Sequence, residues 1–484
     1  MQKNVLLTMS GNNFLYRALE NVCRNNVNIK FENIITYSKL LKHDGIQQIG
    51  AQDIYNQEDK LLQDVESCLS GDEIDFYQKN CYYEFSSQLD RLSLISKPIK
   101  EYQDLFYFSL NYYKNILIKK NITHIIFQTT PHLAIDYLLF HVAKKNNIKT
   151  IIFFRTFYED TILIAEDYRN KFFQPHINKD HLSNKNFEEK IVSAWTKVGK
   201  KINNNSLNKR LLTKLGSLFW IFANNLRNIL NNKLQSPSII FLNKKINIFQ
   251  FSTLFIKNFF RTVALKKMYK KISGTFDYQK INYIYFALHN QPEKTTQPEG
   301  QSFDSQLNAI RYLSEIVPSD WKILIKEHPK QLNPFSGDLR QIHTRTIKDY
   351  KRLLKIKNCS FIALDEKIET LIKSSKLNAT ITGTVAWESL LHNKPSLSFA
   401  NTWHSSCKAS PIIFHDKEQA RTQVQELCKM SEKEVSEEVN NFEKNISKYL
   451  FEMPISDYEF NESSTSKEIL KQNAQIVIED ILKI

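Results

Sequence analysis

The sequence predicts an α/β protein with two separate α/β units. Short apolar runs typical of strands alternate with amphipathic segments typical of helices in both halves of the chain. Successive strand patterns are far enough apart to hold a crossover helix, which is typical of a parallel sheet. The chain has 484 residues, more than one hydrophobic core usually supports, and its 42% hydrophobic content favours packed cores over disorder.

The first α/β unit is predicted over residues 1–165. Its strand patterns fall at 5–8, 34–37, 123–127 and 150–154, and its helix patterns fall at 14–22 and 131–145. Ligands of open parallel sheets lie beyond the carboxyl ends of the strands. The polar segments 10–12, 128–130 and 155–160 lie at such ends. They are candidates for one wall of a binding cleft, although each is also ordinary loop chemistry.

The connecting region, residues 166–280, holds nearly all of the excess positive charge. The segment from Lys197 to Lys280 carries seventeen Lys or Arg residues and one acid, a net charge of +16 in a chain of net charge +15. Basic and apolar residues alternate over 251–269, which is typical of a helix lying on an anionic membrane surface. A helix packed on a domain, with a solvated basic face, is the alternative. We expect no nucleic-acid partner, because no DNA- or RNA-binding motif accompanies the charge.

The second α/β unit is predicted over residues 281–455, and its order is clear. Its strand patterns fall at 281–288, 321–326, 360–364 and 379–382 and from 396 onward, and its helix patterns fall at 302–317, 368–375 and 385–391. The tail, residues 456–484, has a helical pattern over 466–484.

The stretch from Ala379 to Phe399 has the pattern of a strand, a turn and a helix, and the site predicted in this second unit is built around it. Gly383 stands at the turn in a chain with only ten glycines, about 2% of its residues against a usual ~7%. A glycine kept in such a background more often meets a backbone need, such as close approach to a ligand. Thr384 stands at the N-cap position of the helix. A strand leading into a helix N-terminus favours a phosphate site, and an ordinary βαβ turn is the alternative.

Three predicted strand ends in this unit carry polar groups that could form one site. Parallel strands bring their carboxyl ends to one sheet edge, where the basic groups and hydroxyls suit a diphosphate or a nucleoside monophosphate. A lone histidine before proline is more often only a turn residue, so the prediction depends on the three ends together. The predicted donor-binding residues are His289, Gln291, Lys326, His328, Thr382, Gly383, Thr384 and Glu388.

The motifs at these strand ends resemble those of bacterial capsular polysaccharide biosynthesis glycosyltransferases. The chain has His328-Pro329 after a strand, and then T-G-T-x-x-x-E-S-L-L-x-x-K-P from Thr382 to Pro395. The entry loop Q-P-E-K-T-T-Q-P-E-G, residues 291–300, also looks like that of the family. This KpsC/KpsS-like family includes Kdo transferases, and the resemblance covers roughly residues 283–404.

The resemblance implies a GT-B fold, in which two Rossmann-like domains face a cleft, the C-terminal one binds the nucleotide sugar and the final helix crosses back to the N-terminal one. Relatives with a His-Pro motif often use CMP-activated acidic sugars such as Kdo or sialic-type nonulosonates. By analogy, His328 contacts the donor phosphate, and Thr382 and Thr384 assist. This chain has Phe399-Ala400 where relatives usually have Phe-Gly.

The predicted catalytic residues are His328 and, on the N-terminal side, the carboxylates Glu159 and Asp160. Both carboxylates follow a predicted strand end, where a general base could reach an acceptor hydroxyl. A solvated loop pair is the alternative, and Asp136 is a poorer candidate. No D-x-D, H-E-x-x-H or Walker A pattern is present, so we expect no metal and no cofactor beyond the nucleotide-sugar donor.

The strand-end cluster together with this resemblance predicts a glycosyltransferase of capsule or lipopolysaccharide biosynthesis. Its predicted partners are a CMP-linked sugar, a saccharide or glycolipid acceptor and an anionic membrane surface. A UDP-sugar transferase or epimerase on the same fold, or a non-catalytic adaptor of capsule export, are the alternatives. The six cysteines form no CxxC pair, the N-terminus has no signal-peptide pattern, and no apolar run reaches the ~18 residues of a membrane span. We therefore expect a cytoplasmic protein at the inner face of the membrane.

Overall fold

The computed structural model describes residues 2–9, 13–37, 46–158, 160–169, 248–334, 338–463 and 465–483. These residues fall into two compact units. Residues 2–169 and 445–483 belong to the first unit, and residues 248–444 belong to the second. Most of the predicted connecting region, including its Asn/Lys-rich tract, lies outside the described residues.

The first unit contains a seven-stranded sheet in the order β13-β6-β5-β4-β1-β2-β3. The strands are β1 (Lys3–Met9), β2 (Ile29–Thr36), β3 (Gln47–Gly50), β4 (His124–Phe127), β5 (Lys149–Arg155), β6 (Thr161–Ala165) and β13 (Phe451–Glu452). The run from β5 to β3 is parallel, whereas β6 pairs antiparallel with both β5 and β13. The strand order reverses between β1 and β4, as in a Rossmann-like fold.

Helices cover both faces of the first sheet. They are α1 (Asn13–Asn25), α2 (Ala51–Tyr55), α3 (Asp59–Leu62), α4 (Gly71–Leu92), α5 (Ile99–Lys119), α6 (Ile135–Lys145), α14 (Asp457–Glu462) and α15 (Lys467–Lys483). Buried residues of α4, α5 and α6 pack together in one core, and those of α1 and α15 pack in another. In α15 the buried positions Ala474, Val477, Ile478 and Ile481 recur at helical spacing and pack in one core with α1 and the sheet.

The second unit contains a six-stranded sheet that is parallel throughout, in the order β12-β11-β8-β9-β10-β7. The strands are β7 (Ser273–Gly274), β8 (Tyr283–Ala287), β9 (Lys322–Lys326), β10 (Cys359–Ile362), β11 (Leu377–Thr380) and β12 (Ser396–Ser398). The helices are α7 (Ile248–Ile272), α8 (Gln306–Ile316), α9 (Ile347–Leu354), α10 (Ile368–Ser374), α11 (Val385–Leu391), α12 (Lys417–Lys429) and α13 (Glu432–Ile446).

The strand order of the second sheet places a topological switch point between β8 and β11. From β8 the chain moves outward through β9 to β10, and then crosses back to place β11 on the other side of β8. In open α/β sheets, ligands bind outside the carboxyl ends of the strands at such a point. The ends of β8 and β11 are therefore the place in this unit where a ligand is expected to bind.

The two sheets confirm the predicted α/β class, with one Rossmann-like sheet in each unit. Helix α11 has the predicted bounds, but α8 begins at Gln306 instead of about residue 302. Residues 301–303 form a 3₁₀ turn, and the Ser305 side chain caps α8 by accepting from Asn308 N at 3.4 Å. A local side-chain cap thus sets this boundary, which hydrophobic periodicity alone did not show.

Candidate functional site

His289 joins the two strand ends at the switch point of the second unit. It follows β8, and its Nε2 lies 2.9 Å from Thr380 Oγ1 at the end of β11. Thr382 N donates to the same nitrogen at 3.3 Å, which leaves the proton of the neutral ring on Nδ1, 3.3 Å from Thr295 Oγ1. Burial lowers the His289 pKa to about 3, with smaller effects of His328 and Arg345. The imidazole is therefore neutral and buried, and it connects three backbone segments.

Gly383 is required by its close approach to Thr380 and to this histidine. A Cβ atom there would lie 2.6 Å from Thr380 Oγ1 and 3.3 Å from two atoms of the His289 ring. Gly383 N donates to Thr380 Oγ1 at 3.3 Å. Thus the amides of Thr382 and Gly383, which the sequence suggested as a phosphate site, are already bonded within the loop. The glycine meets a backbone need as predicted, but its close neighbours are protein side chains.

The entry loop, residues 291–300, packs against the same turn. Thr382 Oγ1 donates to the Thr295 carbonyl at 2.6 Å, and Gln291 N donates to Gln331 Oε1 at 2.8 Å. A Cβ atom on Gly300 would lie 2.4 Å from the Thr296 carbonyl oxygen. The loop is therefore bonded at its start to the segment after β9 and at its middle to the turn after β11.

His328 presents a free hydrogen-bond donor beside this cluster. It follows β9 and caps a 3₁₀ turn, because its Nδ1 accepts from Lys330 N at 3.3 Å. Burial lowers its pKa, so the ring is neutral near pH 7 and carries its proton on Nε2. No acceptor for this Nε2–H lies within hydrogen-bonding distance among the described residues. Unlike His289, His328 is only partly buried.

Glu327 and Arg345 form a buried ion pair behind His328, which the sequence analysis did not identify. Their side chains are 0% and 6% exposed, and Arg345 Nε lies 2.8 Å from Glu327 Oε2. The angle at that nitrogen is not that of a hydrogen bond, so the contact is mainly ionic. Glu327 also accepts from His328 N at 2.9 Å and from the Tyr350 hydroxyl at 2.8 Å.

Hydrogen bonds within the protein limit the donor-binding roles that the sequence predicts for Lys326, Thr384 and Glu388. Lys326 is buried, which lowers its pKa, and its ammonium donates to the Glu366 carbonyl beyond β10. Thr384 occupies the N-cap position, but its hydroxyl donates to Glu388 Oε1 at 2.8 Å and does not cap the helix. Burial raises the pKa of Glu388. This carboxyl group keeps a second oxygen that could accept from a ligand hydroxyl.

In the first unit, Asp160 is tied to the returning C-terminal segment. Its carboxylate accepts from the Ser463 hydroxyl, and its carbonyl accepts from Met453 N at 2.7 Å. It has a φ of 57°, in the left-handed region that aspartate tolerates better than most residues. Glu159 lies outside the described residues. The ends of β4 and β5 contact the same segment, since Gln128 Nε2 donates to the Ile455 carbonyl at 2.6 Å and Arg155 Nε lies 3.0 Å from Glu459 Oε1.

Two properties of the described residues bear on metal and membrane chemistry. Within them, no group of three or more His, Cys, Asp or Glu side chains could hold a metal ion. None of the helices in those ranges is both long and apolar enough to cross a bilayer.

Comparisons with known proteins give only distant structural likenesses. No protein-family model matches the chain, and no curated protein matches it. A UDP-GlcNAc 2-epimerase from Methanocaldococcus jannaschii, in complex with UDP-GlcNAc and UDP, is 13% identical, with 92% of this chain and 100% of that chain covered and a TM-score of 0.24. A Neisseria meningitidis UDP-GlcNAc 2-epimerase bound to UDP-GlcNAc is 11% identical, with 99% and 100% covered and a TM-score of 0.21.

A third likeness is to the beta Kdo 2,7 transferase KpsC from Thermosulfurimonas dismutans. It is 8% identical, with 68% of this chain and 81% of that chain covered and a TM-score of 0.27. This protein is of the kind that the motifs of the second unit resemble. At such scores none of these likenesses carries an argument about activity, so the function is argued from the site.

Proposed function

We propose that this chain is a GT-B glycosyltransferase of capsule or lipopolysaccharide biosynthesis. It would move a sugar from a nucleotide donor, preferably CMP-Kdo or a CMP-nonulosonate, to a saccharide or glycolipid acceptor. The supporting observation is the convergence of the ends of β8, β9 and β11 at the switch point of a parallel sheet. That place suits a nucleotide, and the motifs there carry the family resemblance.

The residues of the second unit have distinct roles in this proposal. His328 Nε2–H donates to the phosphate of the donor, where negative charge grows as the bond from the sugar to the phosphate oxygen breaks. Glu388 accepts from a ribose hydroxyl through its second oxygen. His289 and Gly383 position the loops that contact the donor, and Lys326 and Gln291 hold neighbouring strand ends. Thr382 and Thr384 complete the turn at the end of β11.

Asp160 of the first unit is the proposed general base. It would take the proton of the acceptor hydroxyl as that oxygen bonds to the anomeric carbon and CMP leaves. Asp160→Asn keeps the size of the side chain and an oxygen for Ser463, but removes the base, so we expect a kcat lowered by ~100-fold or more. Ser463→Ala removes the hydrogen bonds of the Ser463 hydroxyl to Asp160 and from Thr465 N but leaves the carboxylate, so it is the matched control. Equal kcat values for wild type and Asp160→Asn would exclude this role.

The transfer itself is tested with CMP-Kdo, CMP-N-acetylneuraminic acid and a labelled oligosaccharide acceptor. Product should form with wild type and fall by ~10–100-fold in His328→Ala, which loses one donor to the developing charge. The control is His343→Ala, which removes an exposed histidine that is not one of the proposed donor-binding residues. Undiminished transfer by His328→Ala would contradict the proposed donor site.

Membrane association is proposed for helix α7. Its buried face, which packs on the second unit, consists of Asn258, Thr262, Leu265 and Tyr269. The opposite face exposes apolar side chains at helical spacing, namely Phe249, Ile256, Phe260 and Val263. Exposed lysines accompany them at positions 257, 266, 267, 270 and 271. Apolar side chains flanked by lysines suit the interface of an anionic membrane, so we propose a peripheral position at its cytoplasmic face.

A further inference from the structure

The first unit has a pocket that none of the proposed catalytic residues lines. It lies on the helical layer formed by α1, α14 and α15, and its volume is about 220 Å³. Its lining residues are Phe14, Arg17, Ala18, Asn21, Asp457, Phe460, Lys471 and Gln475.

The floor of this pocket is aromatic and fixed. The Phe14 and Phe460 rings stack with their centroids 4.7 Å apart. Phe14 N donates to Asp457 Oδ1 at 2.9 Å, which ties the start of α1 to the start of α14. Lys467 and Lys471 hold their ammonium groups 5.1 Å and 5.9 Å from the Phe460 centroid. These contacts hold the floor of the pocket in place without a ligand.

The side chains at the rim of the pocket include hydrogen-bond donors that have no partner among the described residues. Arg17 and Asn21 project from α1, and Lys471 and Gln475 project from α15, one helical turn apart in each pair. Within the described residues, none of these four side chains has a hydrogen-bonded or ion-paired partner. Unused donors around an apolar floor fit a ligand with many oxygen atoms and negative charge.

We infer that this pocket binds a carboxylate-bearing sugar unit. Arg17 and Lys471, from different helices, would share the carboxylate, and the sugar ring would lie on the Phe460 side of the floor. Asn21 and Gln475 would bond hydroxyl groups. The assignment rests on the proposed function only in taking the ligand to be part of an acidic glycan acceptor. The pocket then holds the glycan apart from the residues that perform the transfer.

Calorimetry on the full chain tests this inference with sialyllactose, which carries a carboxylate, and lactose, which does not. We expect saturable binding of sialyllactose and at least ~10-fold weaker binding of lactose, because lactose cannot form the charge-assisted hydrogen bonds of the carboxylate. The double variant Arg17→Gln/Lys471→Gln should lose at least ~10-fold in sialyllactose affinity for the same reason. Arg24→Gln/Lys483→Gln removes one exposed cation from each of the same helices and should bind as wild type does.

Absence of sialyllactose binding, equal binding of lactose, or an unchanged affinity in Arg17→Gln/Lys471→Gln would overturn the inference. CMP binding is measured on the same proteins and should be equal in all of them. Loss of CMP binding in every protein, with sialyllactose still bound, would count against the donor site and leave the pocket standing. The opposite pattern would count against the pocket alone.

Discussion

The Nε2 atom of His289 lies 2.9 Å from Thr380 Oγ1, and this contact joins the carboxyl ends of β8 and β11. These strands are neighbours in the sheet, although β9 and β10 lie between them in the chain. Since the ring is buried and neutral, the contact is a hydrogen bond between uncharged groups. It fixes the turn at Gly383 next to His328, the donor that we place on the phosphate.

Gly383→Ala should damage this junction. The added methyl group would lie 2.6 Å from Thr380 Oγ1, so Thr380 and His289 must both move. We expect a destabilisation of ~1–3 kcal/mol and weaker CMP binding. Gly274→Ala is the control, because a Cβ at this glycine of the same sheet meets nothing within 4 Å. Urea unfolding of the two variants measures the difference, and equal stability would show that the turn is not constrained by His289.

Arg345→Met should destabilise the second unit strongly. It leaves the Glu327 carboxylate buried without its cation, at a cost of ~3–5 kcal/mol. Adding Glu327→Gln removes the unpaired charge and retains an acceptor for Tyr350, so it should recover part of that loss. Arg421→Met breaks a comparable pair with Glu418 on the surface and should cost less than ~1 kcal/mol. If Arg345→Met and Arg421→Met lowered the free energy of unfolding by similar amounts, this would contradict a stabilising role for the buried pair.

Buried neutral histidines should make the protein acid-labile. Burial lowers the pKa of His404 to about 3, whereas the unfolded chain titrates near 6.5. As pH falls below 6.5 the unfolded state takes up a proton that the folded state does not, so stability falls by up to about 1.4 kcal/mol per pH unit for each such histidine. Burial has the same effect on the pKa values of His124, His141 and His289.

Unfolding midpoints measured between pH 7.5 and 4.5 test this prediction. His404→Phe keeps a ring beside Trp387 and removes one titrating group, so its stability should fall less steeply with acid than that of wild type. Ser410, the partner of His404, keeps its 2.7 Å bond to Ser396. His343→Phe, at an exposed position, should change the slope much less. A slope unaltered in His404→Phe would mean that His404 is protonated in the folded protein.

Helix α7 should attach the protein to anionic vesicles. The side chains of Phe249 and Phe260 are 80% and 65% exposed, and burying a phenylalanine contributes about 1.5–3 kcal/mol. Phe249→Ser/Phe260→Ser should therefore lower the bound fraction by at least ~10-fold, and high salt should weaken wild-type binding by screening the lysines. Ile99→Ser changes an exposed apolar residue of the first unit and is the control. Equal sedimentation of all three proteins with the vesicles would contradict the proposal.

The features that could be predicted from the sequence are those that depend on local chain geometry. Gly383 and helix α11 were predicted from glycine scarcity and apolar spacing, and both depend on local chain geometry. The ion pair of Glu327 with Arg345 was missed because the two residues are far apart in the chain, and only the fold brings them together. The inward bonds of Lys326 and His289 were missed for the same reason. Charge and motif patterns indicate which groups are present but not which of them are already bonded.

The pocket on α1, α14 and α15 illustrates the same limit. Arg17 and Lys471 belong to segments at opposite ends of the chain, and no motif links them. Periodicity predicted both helices, but their packing follows from the buried stripe of α15 against the first sheet. Sites that need two distant helices therefore became visible only in the structure.

Calorimetric titration of the wild-type chain with CMP, UDP and GDP tests the donor site most directly. The account predicts saturable binding of CMP in preference to the other two nucleotides, and at least ~10-fold weaker CMP binding in His328→Ala, as expected for loss of one hydrogen bond to a charged group. Tighter binding of UDP would favour the UDP-sugar transferase or epimerase alternative. Binding of none of the three would contradict a nucleotide site at the ends of β8, β9 and β11.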